Sequence, residues 1–231
     1  MNPLLVLVHS PLVGPFTWSL VDELLHQRDF ETLVPVLTDV EGIDIPLWQQ
    51  HAEAVKRALG LIPQTRPLIL VGHSGAGPLL PAIRQVTGHP VTKYIFVDAG
   101  LPHGGKSRLA EMEENSPDLL KELRPHLEAG GRFPEWSDEE LREVIPHDRL
   151  RRAMLAELHP RSLAFFLEPL PIVANWPDAP CAYMLLSPAY RRPAEQARQK
   201  GWAYRSFDAG HFHMLMDPAA VTRALIELIE A

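Results

Sequence analysis

Short runs of consecutive apolar residues recur at wide intervals along the chain. They read as strands at Leu4–His9, Thr32–Leu37, Leu68–Gly72, Tyr94–Asp98, Cys181–Ser187 and Trp202–Ser206. Between them the apolar positions fall at helical spacing, in Thr17–Gln27, Leu47–Leu59, Ala76–Val86, Ala194–Lys200 and Pro218–Glu230. Strands that are apolar throughout, alternating with amphipathic helices, predict a parallel sheet covered on both faces. The interval from Asp98 to Cys181 breaks the rhythm. It holds no convincing strand, and it reads as short helices at Asp118–Leu127, Asp138–Val144, Arg149–His159 and Ser162–Leu167. Pro125, Pro134, Pro146, Pro160 and Pro169 interrupt them. A structureless loop of that length is implausible, so residues 101–176 are expected to form a helical insertion over the sheet.

One stretch carries chemistry. Leu68 to His73 runs into Ser74-Gly-Ala-Gly77 and then into a helical pattern. A strand that turns into a helix at one residue holds that residue in a strained conformation. It needs neighbours without bulk. The hydroxyl of Ser74 would then project above the sheet edge at the positive end of a helix. The pattern Gly72-His-Ser74-Gly-Ala76 resembles the nucleophile elbow of the α/β-hydrolase family, with Ala76 in place of the last glycine. The helical insertion occupies the place of that family's cap.

The resemblance implies a single domain over 1–231. The family usually has a leading antiparallel hairpin, but there is no room for one before Leu4, so a six-stranded sheet in the order 2-1-3-4-5-6 is expected. The resemblance also implies a base in the loop after the last strand. That loop reads Phe207-Asp-Ala-Gly-His211-Phe-His213, and His211 matches the family's catalytic histidine. His213 is the competitor. The acid usually follows the fifth strand, but no Asp stands near that strand's end. Asp98 at the end of strand four is the preferred alternative. Glu195 and a cap residue such as Glu168 remain open. Gly75 is implied as one oxyanion donor. In the first loop, His9-Ser10-Pro11-Leu12, Pro11 falls where the second donor is expected, and proline has no N–H. Leu12 or the Ser10 hydroxyl would then serve. Ser10, Trp18, Phe165 and Phe166 are the candidate substrate contacts. Trp136 and Trp176 could line the same pocket or form the cap's own core. Arg149, Arg151 and Arg152 read as a solvated basic face.

Composition narrows the partners. The 231 residues are 46% hydrophobic with a net charge of −7, which argues against a nucleic-acid surface and fits a small-molecule substrate. The one cysteine, Cys181, forms no internal disulfide, as in a reducing compartment. Leu4–Val8 is too short for a signal-peptide core, and no run reaches the ~20 residues of a membrane helix. The expectation is a cytoplasmic serine hydrolase of esterase or thioesterase type, without cofactor or metal. A cofactor-free lyase on the same scaffold and a non-catalytic ligand-binding relative are the rivals. The natural substrate and the oligomeric state are left open.

Overall fold

The computed structural model describes residues 2–231. The strands are β1 (Leu4–Val8), β2 (Thr32–Leu33), β3 (Leu68–His73), β4 (Val91–Val97), β5 (Cys181–Leu185) and β6 (Ala203–Ser206). They form one parallel sheet in the order β2-β1-β3-β4-β5-β6, as the sequence predicts. Helices α1 (Phe16–His26), α2 (Leu47–Leu59) and α3 (Leu80–Thr87) lie in the first half. Between β4 and β5 come α4 (Arg108–Asn115), α5 (Pro117–Glu128), α6 (Asp148–Leu155) and α7 (Leu163–Leu167). Then follow α8 (Arg191–Gln199), α9 (His213–Met216) and α10 (Pro218–Glu230).

Alternate strand residues divide between two cores. Leu5, Leu7, Val71, Ile95, Val97 and Met184 pack with Trp18 and Leu25 of α1 and Leu225 of α10. Val6, Val8, Leu70, Phe96 and Tyr183 pack on the other face, with Val55 of α2, Leu80 of α3 and Ala197 of α8. Both faces of the central strands β1 and β3, and most of β4 and β5, are buried, which is why these read as unbroken apolar runs, whereas the edge strands β2 and β6 are partly exposed. A third cluster joins Leu109, Leu120, Leu123, Leu127, Phe165 and Phe166 within the β4–β5 segment.

Several boundaries differ from expectation. The β2 strand stops at Leu33, because Pro35 has no N–H to continue an edge ladder. Leu37 instead donates its N–H to the His9 ring at 3.2 Å. Residues 138–144 form turns rather than a helix. Helix α4 was not anticipated. Its start is capped by the Ser107 hydroxyl, which accepts from Ala110 N at 3.2 Å, and its exposed face is strongly acidic. No helix among the described residues is long and apolar enough to cross a membrane.

Candidate active site

At the C-terminal end of β3, Ser74 adopts φ 56°, a left-handed conformation that costs a non-glycine residue ~1–3 kcal/mol. Three glycines make the turn possible. A Cβ on Gly72 would lie 3.0 Å from Leu80, one on Gly75 3.1 Å from the Ser10 hydroxyl, and one on Gly77 only 2.3 Å from the Gly100 carbonyl. Gly77, not position 76, is where the backbone tolerates no side chain, and Ala76 is buried without such a clash. Ser74–Leu79 form a 3-10 turn, with Pro78 inside it, rather than the start of a regular helix.

Asp98 directly follows β4, with φ 43°, and is fully buried. Its Oδ1 accepts from Leu186 N at 2.8 Å and Ser187 N at 2.9 Å. Its Oδ2 accepts from the Ser187 hydroxyl at 2.5 Å and stands 2.7 Å from Nδ1 of His211. The carboxylate thus comes from β4, while the loop after β5 supplies its donors. Its acceptor positions are thereby well filled. Glu195 is exposed on α8, and Glu168 is engaged elsewhere. The Glu168 carboxylate accepts from Leu47 N at 2.7 Å and Trp48 N at 2.9 Å, at the start of α2. His213 packs on Phe207.

His211 is flanked by two rings. His73 lies 4.5 Å away between ring centroids, and burial holds its imidazole well below the ordinary histidine value, hence neutral. Tyr190 stacks on the His211 ring at 5.2 Å and 13°. The Tyr190 hydroxyl lies 3.0 Å from the Ser74 hydroxyl. Burial pushes this phenol well above its usual value, so it keeps its proton. Among the described residues no hydrogen bond joins Ser74 to His211. No spacing in the sequence marks Tyr190, whose loop follows β5 and bears no Asp near the strand end.

Ser74, Gly75, His211 and Tyr190 line a cavity of about 390 Å³. Leu12, Met112, Phe133, Trp136, Phe165 and Phe166 supply its apolar wall. Trp18 does not reach this cavity. It is fully buried under the site, its ring 6.1 Å from that of His73. Trp176 instead packs against Tyr94, Phe96 and Trp202. Arg151 is buried and holds Asp138 and Asp148 at 2.7 Å each, so the basic face contracts to Arg149 and Arg152.

The first loop is fixed by a residue that sequence reasoning did not reach. Arg161 donates from Nε and Nη2 to the Pro11 carbonyl at 3.1 and 3.0 Å, and from Nη1 to Asp39 at 2.6 Å. Within that loop Leu12 N donates to the Ser10 hydroxyl at 3.3 Å. The Leu12 N–H is therefore engaged, while the Ser10 hydroxyl keeps a proton to donate.

The parallel sheet, the strained serine on its C-terminal edge and the histidine–aspartate pair beside it define a hydrolase class. A family model described as the alpha/beta hydrolase family matches residues 5–224, and the chain belongs to that family. Methylesterase 17 of Arabidopsis thaliana is 24% identical over 182 residues, covering 74% of this chain. The match spans 64% of that relative's own length. An extracellular α/β-hydrolase from a Paenibacillus species superposes with a TM-score of 0.77 at 15% identity, covering 98% of this chain and 99% of that one. Methylketone synthase I of tomato, solved with 2-tridecanone, gives a TM-score of 0.74 at 13% identity, covering 100% and 98%.

Proposed function

We propose that this protein hydrolyses a carboxylic ester or thioester of a small, largely apolar acyl group through an acyl-enzyme on Ser74. The observation that carries this reading is the strained Ser74 on one cavity with His211, whose Nδ1 faces the Asp98 carboxylate at 2.7 Å. In the proposed sequence the Ser74 oxygen attacks the carbonyl carbon and its proton passes to Nε2 of His211. Collapse of the tetrahedral adduct expels the alcohol or thiol, which takes that proton. Water, deprotonated by His211, then releases the acid. Asp98 holds the imidazole in the required tautomer and balances its charge. Gly75 N donates to the oxyanion, and the Ser10 hydroxyl takes the part that Pro11 cannot. Leu12 contributes through its contact with Ser10. The similarity to a methylesterase supports ester chemistry. The lone, buried Cys181 favours a cytoplasmic setting.

The test is turnover of p-nitrophenyl esters of graded acyl length by the parent protein and by Ser74→Ala. The reading requires turnover that the substitution abolishes. Equal rates in both proteins would overturn it.

One observation favours a second reading. A hydroxyl at position 10 accepts from the Leu12 N–H, which withholds that backbone donor from an oxyanion. A lyase using His211 as base, with Ser74 never acylated, fits that arrangement. A trapped acyl-enzyme would exclude it.

A further inference from the structure

Among the residues that line the cavity, beside the apolar Phe165, is a charge without a hydrogen-bonded acid. Arg108, the first residue of α4, lines the cavity and is only 7% exposed. Among the described residues its Nε and Nη2 have no hydrogen-bond partner, although both are buried. Nη1 makes one long contact, 3.5 Å, with the Phe165 carbonyl. The guanidinium lies 4.0 Å over the Phe165 ring, which offsets only part of its desolvation. Taking a cation out of water without a paired acceptor costs several kcal/mol. Arg151 and Arg161, the other buried arginines of this segment, both hold carboxylates.

The acid closest in sequence does not fill the gap. Glu111 stands one turn on in α4 and lines the same cavity, but its Oε1 lies where a side chain on Gly100 would be, 2.1 Å from that position. Burial raises the Glu111 carboxyl to about 7, against a lowering by Arg108, so near neutrality about half of it keeps its proton and competes only partly for the guanidinium.

We propose that Arg108 is a substrate-binding residue that takes a carboxylate, so that the preferred substrates are esters carrying a free carboxylate remote from the scissile carbonyl. Nε and Nη2 form one edge of the guanidinium fork, which matches the two oxygens of a carboxylate. Both are closed off from the cavity in this conformation, so the guanidinium must turn from the Phe165 ring to receive one. The apolar wall formed by Phe133, Phe165, Phe166 and Met112 suits a hydrocarbon spacer between the two ends. This inference rests on the ester-hydrolysis reading for its reaction but not for its binding step.

The experiment compares monomethyl succinate, adipate and suberate with neutral methyl esters of matching length. The quantity read is the ratio of kcat/KM for charged over neutral ester, in the parent, Arg108→Lys and Arg108→Met. A ratio within one preparation cancels any loss of folded protein. For the best spacer the parent should favour the charged ester by at least about tenfold. Arg108→Met should bring the ratio to one or below, and Arg108→Lys should fall between. A parent ratio near or below one for every spacer would overturn the proposal, as would a preference that survives Arg108→Met. Calorimetric binding of the same half-esters to Ser74→Ala separates the two readings. Charge-dependent binding without turnover in the parent leaves Arg108 in its role and removes the esterase reading. Turnover without charge preference does the reverse.

Discussion

The Ser74 hydroxyl meets the Tyr190 phenol at 3.0 Å, and the same tyrosine ring lies flat on His211. In this arrangement the proposed nucleophile is paired with a group that cannot act as its base, since the phenol stays protonated. Attack requires that bond to be exchanged for one to Nε2 of His211. A neutral hydrogen bond is worth ~0.5–1.5 kcal/mol net, which corresponds to a roughly two- to tenfold brake. Tyr190→Phe should therefore raise the rate at which a fluorophosphonate labels Ser74 by two- to tenfold, with the ring stack kept. A fall in labelling would show instead that the phenol donates to the transition state.

The two candidate acids separate cleanly. Asp98 accepts four hydrogen bonds that tie β4 to the loop after β5 and to His211. Asp98→Asn should lower kcat by roughly 10³–10⁴-fold, as loss of the orienting acid does in serine hydrolases. It should also lower Tm, because the substitution puts an amide NH₂ where other donors already converge. Glu195→Gln, on the exposed side of α8, should change ester turnover less than twofold. Normal turnover in the Asp98 variant would remove it from the mechanism.

The sheet order and the Ser74 turn were legible because they rest on local pattern. Runs such as Leu68–Val71 can only be strands buried on both faces, and a small-residue cluster after one of them marks the turn. Which small residue is indispensable was not legible. The family pattern points to position 76, but the close approach of the Gly100 carbonyl, from the loop after β4, makes Gly77 the constrained one. Tyr190, Ser187 and Arg161 were missed for the same reason. Each acts on a residue distant in sequence, and no spacing announces it. Trp18 shows the opposite error, a residue near the site in sequence whose apolar ring the core claims. Helix α4 escaped because its exposed, acidic face hides the helical period, leaving the Ser107 cap as its signal.

Gly77 gives a direct test of that distinction. A methyl group there would press on the Gly100 carbonyl and on the Ala99 side chain, 2.3 and 2.9 Å away. Both neighbours belong to the segment that follows Asp98, so relief must move the acid. Gly77→Ala should cost ~2 kcal/mol or more in stability and reduce kcat, whereas Ala76→Gly should cost no more than ~1 kcal/mol. Chemical denaturation of the two variants measures the difference. Equal losses would contradict the assignment.

Glu111 should make stability depend on pH in an unusual direction. Its carboxyl titrates at about 7 in the folded protein and at the ordinary value of 4.5 when unfolded. Burial raises it and Glu114 adds to the rise, while Arg108 and Lys106 oppose it. Between these two pH values the folded state keeps a proton that the unfolded state has released. The Glu111 contribution therefore declines as pH rises from about 4.5 to 7. Glu111→Gln removes this titration. The Tm of the variant relative to the parent should climb between about pH 4.5 and pH 8 and stay flat below about pH 4. A difference that shrinks over the same interval would refute the burial argument.

Arg161 and Asp39 form a 2.6 Å pair in which both side chains are 7% exposed. Burial alone would raise the Asp39 carboxyl, but hydrogen bonds from His51 and Arg161 hold it down to about 2. Arg161 also fixes the Pro11 carbonyl, and through it the loop that presents Ser10 and Leu12. Arg161→Met leaves Asp39 buried with His51 as its remaining partner and should cost ~3–5 kcal/mol. Asp39→Asn in the same background removes the stranded charge and should recover at least ~1 kcal/mol, a coupling that a double-mutant cycle reads directly. Ester turnover should not recover with it, because the freed Pro11 carbonyl depends on the guanidinium and not on the acid. Recovery of both together would mean that the pair serves the fold alone.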